Sequence, residues 1–216
     1  MSHLKRQKVP KSWPIHRKGT AYVVRSQGGI EKSLPLLIVL RDVLKIAQNR
    51  KEVKKAIYNK LILVNSKPAV DERAGVLLFD TLTIIPSNKN YRIEIDERGK
   101  FSVKEIVESE SKKKVAKVVS KKMLKGKKIQ LNLSDGRNYL SDIKCETGDS
   151  VIINLKDKKI EKCLQLKENV NAFAFAGKHS GIYGKVEKME KEKKTVQLLT
   201  KDGKVNVLIK QIMVVE

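Results

Sequence analysis

Gly177-Lys178-His179 follows the apolar segment Phe173-Ala174-Phe175 and carries the residue types of a phosphate-binding loop. Such a loop needs a glycine five residues before that Gly, so that backbone N–H groups can wrap a triphosphate. It also needs Ser or Thr after the Lys, to hold magnesium. Ala172 and His179 stand at those two positions, and the nucleotide-hydrolase reading fails on both. His3, His16 and His179 have no metal-ligand spacing and no neighbouring Ser or Cys arrangement of a triad. Asp71-Glu72 and Asp96-Glu97 are paired acids, but in turn-like stretches, where solvated carboxylates are the ordinary outcome. Cys145 and Cys163 lie eighteen residues apart without a Cys-x-x-Cys pair. That spacing suits two buried or half-buried thiols in a reducing compartment better than a disulfide framework or a zinc site. The expectation is a protein with no catalytic group, no metal, no cofactor and no small-molecule substrate.

The chemistry that remains is that of cations on a polyanion. Across 216 residues, 38 Lys and 9 Arg face 24 acids, a formal charge of +23. Self-repulsion on this scale calls for a polyanionic partner. Lysine outnumbers arginine about four to one, which suits diffuse phosphate neutralisation more than bidentate base reading. Hydrophobic residues make up 40% of the chain, enough for real cores in one or two compact units, or three small ones. The longest apolar runs are five residues, and Met1 to Arg6 lacks the apolar segment of a secretory signal. A soluble protein of the cytosol or nucleus, away from membranes, is expected.

The charge is uneven. Residues 1–33 carry a net +7, residues 34–86 a net +4, residues 87–110 a net −1, and residues 111–128 hold nine Lys and no acid. The first stretch has neither helical nor alternating periodicity, and Pro10 and Pro14 favour an extended backbone. It reads as an arm that follows a groove between phosphates, with Trp13 free to stack on a base or sugar; the opposite outcome is that Trp13 packs back on the protein.

Beyond the arm, Ser33 opens a helical pattern with Leu36, Leu37, Leu40, Val43, Leu44 and Ala47 on one stripe. Asn49 reads as the cap of a second helix, with Glu52 returning the bond and Val53, Ala56 and Ile57 buried. Leu61 to Val64 reads as a strand, Asn65 to Pro68 as a turn, and further strands follow near Ala69-Val70 and at Leu82 to Ile85. From Pro86 onward the pattern is all strand. Tyr91, Ile93 and Ile95 alternate, and Arg98-Gly99, Asp135-Gly136 and Asp202-Gly203 are turn signals. Lys112 to Lys128 also admits a helical reading through Val115, Val118, Val119 and Lys122, but its valines with Met123 favour a strand. Short strands at this spacing suggest small β-barrels. The fold class expected is α+β and multi-domain.

Four separated stretches resemble the archaeal and eukaryotic small-ribosomal-subunit proteins of the S-four-e family. They are His3 to Arg6 with Ser12 to Ile15, Ser33 to Leu44, Lys127 to Asn138, and Gly177 to Gly181. They occur in the family's order and span nearly the whole chain, with the later parts most similar to the archaeal branch. The resemblance implies a basic arm (1–33), an S-four-type RNA-binding domain of helices and sheet (34–86), a central β domain (87–168) and an SH3-like KOW barrel (169–216). It implies a structural, non-enzymatic constituent of the cytoplasmic small ribosomal subunit, with small-subunit ribosomal RNA and neighbouring ribosomal proteins as partners. Three departures stand out. Asn65-Ser66 replaces the Asn-Gly or Asp-Gly common between the first S-four strands, Ser26 to Gly29 is shorter than the usual glycine–proline piece, and Ala176 replaces the first of two KOW-loop glycines.

Because A-form RNA hides its major groove, recognition should fall on backbone, shape and splayed loops. The expected contacts are Lys5, Arg6, Lys8, Lys11, Trp13, Arg17 and Lys18 from the arm. Arg41, Lys45, Arg50, Lys51, Lys54, Lys55, Asn65 and Lys67 follow from the two-helix face and its turn, and Lys178, His179, Tyr183 and Lys185 from the KOW loop. A pseudouridine synthase carrying an S-four domain is disfavoured, because no Arg-Leu-Asp triplet occurs. A dissociable translation or transcription factor would share the basic modules, and a DNA-compacting protein would share the charge.

Overall fold

The chain is described by a computed structural model covering residues 3–141, 143–190, 194–201 and 203–215. It divides into two units, Met1–Ile95 with Lys100–Lys112, and Asp96–Gly99 with Lys113–Glu216. Both are β-rich and built of several sheets with few helices.

In the first unit, β1 (Leu4–Lys5) pairs antiparallel with β2 (Tyr22–Val23). Leu4, Val9 and Trp13 are buried in the unit's core. Trp13 is 2% exposed, and its indole N–H donates to the Ile30 carbonyl at 3.2 Å. This overturns the expectation of an extended arm with Trp13 free to stack. The arm has enough apolar side chains to dock, and burying an indole with its N–H satisfied gains more than leaving it in water. Pro10 takes part in a turn, its carbonyl accepting from the Trp13 N–H at 3.2 Å, instead of prolonging an extended chain.

Next come β3 (Ser33–Pro35), α1 (Leu36–Ile38), a π-type turn (Val39–Val43) and α2 (Arg50–Tyr58). The helix expected from Ser33 therefore starts three residues later. Pro35 has no N–H and keeps Leu34 extended, so Ser33 to Pro35 pairs as a strand. Leu36 to Leu40 are each at most 2% exposed, so this segment is buried on all sides and not along one stripe. It ends where Lys45 takes φ 54, short of Ala47. The α2 cap forms as read. Asn49 Oδ1 accepts from the Glu52 N–H at 3.0 Å, and the Glu52 carboxylate accepts from the Gln48 N–H and Asn49 Nδ2, each at 2.7 Å. Val53 and Ile57 are buried and Ala56 half-buried.

Then follow β4 (Ile62–Val64), β5 (Lys67–Pro68), β6 (Gly75–Leu77), β7 (Thr81–Ile84), β8 (Lys89–Ile95), β9 (Phe101–Ile106) and one turn of helix, α3 (Glu108–Ser111). β6 pairs with β3, and the other five strands form an antiparallel sheet in the order β5-β4-β7-β8-β9. Asn65 and Ser66 have φ of 51° and 61°, a two-residue left-handed hairpin turn that sets Val64 opposite Lys67. The second strand therefore falls at Lys67–Pro68, ahead of Ala69-Val70. The division expected between residues 86 and 87 lies between β7 and β8, which are bonded neighbours in this sheet.

The second unit holds β10 (Lys113–Met123), β11 (Ile129–Leu133), β12 (Asn138–Leu140), β13 (Ser150–Asn154) and β14 (Lys159–Leu164) in the order β12-β11-β10-β13-β14. Lys113 to Met123 is the strand its valines suggested. Its register shifts between Val118 and Ser120, so one half pairs with β13 and the other with β11. The Asp135-Gly136 turn joins β11 to β12, with Gly136 at φ 82. A second five-stranded antiparallel sheet contains β15 (Asn171–Ala174), β16 (Tyr183–Glu190), β17 (Thr195–Thr200), β18 (Gly203–Leu208) and β19 (Ile212–Val214), ordered β18-β17-β16-β15-β19. Asp202 of the Asp202-Gly203 signal lies outside the described residues. Within this unit the two sheets are tied together. The Val214 N–H donates to Ser150 Oγ at 2.8 Å, and the Lys117 ammonium donates to the carbonyls of Ile209 and Ile212.

Candidate nucleic-acid interface

Lys51, Lys54 and Lys55 are exposed on α2, opposite Val53 and Ile57. At spacings of three and four residues they form one cationic face on a capped helix. Arg50, beside them, is exposed but tethered to a buried carboxylate. Its Nε donates to Glu72 Oε1 at 2.8 Å and a second guanidinium nitrogen pairs with the same oxygen, while the Glu72 side chain is 2% exposed. The hydrogen bond to Glu72 raises the Arg50 pKa above its ordinary value. Glu72 is thus a buried counter-ion, and the expectation of a solvated turn carboxylate is corrected: a guanidinium beside it makes burial tolerable. Asp96 and Glu97 are exposed, as read.

Asn65 is turned inward. Its Nδ2 donates to Asp80 Oδ1 at 2.8 Å and its Oδ1 accepts from the Thr81 N–H at 3.1 Å. It is 3% exposed, so its side chain shapes the turn and is not presented to a phosphate. Lys67, just beyond, is exposed.

In the arm, Lys5, Lys8, Lys11, Arg17 and Lys18 are exposed, but Arg6 is consumed internally. Its Nε donates to the Thr20 carbonyl at 2.7 Å, Nη1 to the His16 carbonyl at 2.7 Å and Nη2 to Thr20 Oγ1 at 2.8 Å. These bonds close the loop that presents Arg17 and Lys18. The arm and the turn that follows α1 line a cleft of about 470 Å³, with His16 and Lys18 on one and Arg41, Asp42 and Lys45 on the other. Arg41 is bidentate on Asp42, at 3.1 and 2.9 Å. In the second unit, Lys178, Tyr183 and Lys185 are exposed and His179 is half-buried around the glycine loop. The Tyr183 ring lies 4.5 Å from that of Phe173, centroid to centroid.

The nine-lysine stretch is less available than its composition suggested. Lys114 pairs with Asp135 and Lys117 caps two carbonyls, both lysines being buried. Burial lowers the Lys117 pKa to about 8. Lys112 pairs with Glu108 at 2.8 Å and Lys113 with Glu161 at 3.0 Å, while Lys122, Lys125 and Lys128 are exposed. Sequence reasoning passed over a second cleft, of about 490 Å³, lined by Tyr22, Arg25, Arg50 and Arg73. The available signal was arginine itself, scarce in a lysine-rich chain.

Burial pushes the Cys145 and Cys163 thiols up, and Cys163 Sγ donates to Asp149 Oδ2 at 3.8 Å. Among the described residues no group of three or more His, Cys, Asp or Glu side chains is placed to hold a metal ion, and no helix is long and apolar enough to cross a membrane.

Comparison with known proteins agrees with this architecture. Residues 2–29 match the RS4NT (NUC023) domain, and residues 87–160 match Ribosomal family S4e. The small ribosomal subunit protein eS4 of Methanosphaera stadtmanae is 35% identical over 220 residues, covering 99% of this chain and 91% of that protein. Its counterpart in Methanocella arvoryzae is 35% identical over 221 residues, covering 99% and 94%. The crystal structure of the 30S ribosomal protein S4e from Thermoplasma acidophilum has the same fold, with a TM-score of 0.73 at 24% identity over 85% of this chain and 95% of that one. With identity at this level along almost its entire length, the chain belongs to the ribosomal S4e family.

Proposed function

We propose that this protein is a structural constituent of the small ribosomal subunit in the cytoplasm, binding small-subunit ribosomal RNA through several basic modules and taking part in translation as a non-enzymatic component. Neighbouring small-subunit proteins are its other partners. The modules are the arm (1–33), an S-four-type RNA-binding domain (34–86), a central β domain (87–168) whose first strand continues the sheet of the domain before it, and an SH3-like KOW barrel (169–216). Support for the barrel comes from a five-stranded antiparallel sheet with a register shift in β16 and a glycine-containing loop, Gly177 to Gly184. The family relationship supports the cellular role.

The observation that carries the RNA-binding reading is the lysine face of α2, Lys51, Lys54 and Lys55, exposed on a helix whose other side is buried. These three, with Lys5, Lys8, Lys11, Arg17, Lys18, Lys45, Lys67, Lys178 and Lys185, contact phosphates. Arg6 and Asn65 position their neighbours. Changing Lys51, Lys54 and Lys55 to Glu in the full chain should abolish binding to small-subunit ribosomal RNA while the circular dichroism spectrum stays unchanged. Unaltered binding by that variant, or equal affinity of the unmodified protein for unrelated structured RNA, would overturn the reading. Sedimentation in high-salt sucrose separates it from a dissociable factor, since a structural protein stays with the subunit.

A further inference from the structure

The cleft lined by Tyr22, Arg25, Arg50 and Arg73 differs in chemistry from the lysine surfaces. Three of the chain's nine arginines converge on it from three separate segments. Each segment is held. The Gln27 N–H donates to the Arg73 carbonyl at 2.8 Å and Gln27 Nε2 to Asp71 Oδ2 at 2.7 Å, clamping the loop after β2 onto residues 71–73. Gly75 permits this approach, since a Cβ there would lie 2.6 Å from Ser26 Oγ and 2.7 Å from the Gln27 carbonyl. Arg50 is anchored by buried Glu72. In the same cleft, β1–β2 pairing leaves Tyr22 55% exposed, with the His3 ring tilted against it at 5.3 Å.

An exposed aromatic ring beside one anchored guanidinium and two more carried on neighbouring segments has a specific use. A nucleobase stacks on the ring, and the planar forks engage the phosphate on either side of it in a way lysine does not. The volume, about 490 Å³, lies within the range of small-ligand clefts, about 300–1,000 Å³. We propose that this cleft receives a single unstacked nucleotide of RNA, its base on Tyr22 and its flanking phosphates on Arg25, Arg50 and Arg73. The inference rests on the RNA-binding reading and adds to it a subsite for an unpaired base, on residues outside those expected to contact RNA save Arg50. A splayed base is the kind of feature by which folded RNA is told from plain duplex.

The test uses the full chain with two probes, small-subunit ribosomal RNA and a short unstructured RNA oligonucleotide. Tyr22→Ala should weaken binding of both by about tenfold or more while leaving the salt dependence unchanged, because stacking releases no counterions. Tyr22→Phe should bind like the unmodified protein. The Arg25→Gln/Arg73→Gln double variant should bind more weakly, with the slope of log K against log salt shallower by about 1 to 2. With 4-thiouridine in the oligonucleotide, photocrosslinks should map to the Tyr22–Gln27 segment. Unchanged oligonucleotide binding by Tyr22→Ala, or crosslinks confined to other segments, would overturn the inference. Failure of the broader reading has a different signature: the oligonucleotide still depends on Tyr22, but the protein shows no preference for small-subunit ribosomal RNA.

Discussion

The Lys114 ammonium lies 2.8 Å from a carboxylate oxygen of Asp135, with the two side chains 1% and 4% exposed. A lysine from the most basic stretch of the chain is thus spent inside the protein, tying β10 to the β11–β12 turn. Burial alone would raise the Asp135 pKa, but the charge and hydrogen bond of Lys114, with further help from Arg137, hold it below the ordinary carboxylate range. Lys114→Ala strands a buried carboxylate and should cost about 3–5 kcal/mol by denaturant titration, whereas Lys114→Met with Asp135→Leu should cost far less. Because the Asp135 pKa is depressed, its stabilising contribution is complete above the unfolded carboxylate range and is lost as pH falls through its folded value. The double variant should lack that acid-dependent part.

The Lys117 pKa is lowered in the folded state to about 8, by burial. The unfolded chain, with an ordinary lysine, therefore binds more protons between about pH 8 and 10.5, and stability from this group rises with pH across that window. Below about pH 8 both states are protonated and the contribution is flat. Relative to Lys117→Met, the unmodified protein should gain up to about 3 kcal/mol on going from pH 7 to pH 10.5. A flat difference across that window would contradict the assignment, as would an NMR titration of the Lys117 side chain with an ordinary midpoint.

Salt dependence measures how many cations work together. If eight phosphates are neutralised, log K for ribosomal RNA should fall against log salt with a slope of about −6 to −7. A slope near −1 would exclude a multi-module grip. Arg6→Gln, which removes the charge, should alter the slope little, since the guanidinium bonds within the arm.

Trp13 is the chain's one tryptophan and is 2% exposed. Its fluorescence should be blue-shifted, poorly quenched by acrylamide, and unaffected by saturating RNA. Strong quenching on RNA addition would restore the stacking role that burial argues against. Trp13→Ala should destabilise the first unit by about 3–5 kcal/mol, as for other buried aromatic truncations.

Local signals in the chain were legible wherever one residue acts on its near neighbours. The Asn49–Glu52 cap, the Asp135-Gly136 turn and the alternation of Ile129, Leu131 and Leu133 all depend on contacts a few residues away, and all form as read. The helix expected from Ser33 starts late because Pro35, whose backbone restriction is equally local, overrides the apolar periodicity around it.

The positive charge, the lack of catalytic spacing and the order of family stretches were determined by the sequence alone, being properties of residue type and position. Which cations face solvent was decided only by tertiary structure. Arg6, Lys114 and Lys117 read like Lys51 or Lys55 along the chain. Their partners, Thr20, Asp135 and the Ile209 carbonyl, lie from 14 to 92 residues away. A charge is removed from the binding surface by whatever packs against it, and that neighbour is chosen when the sheets form.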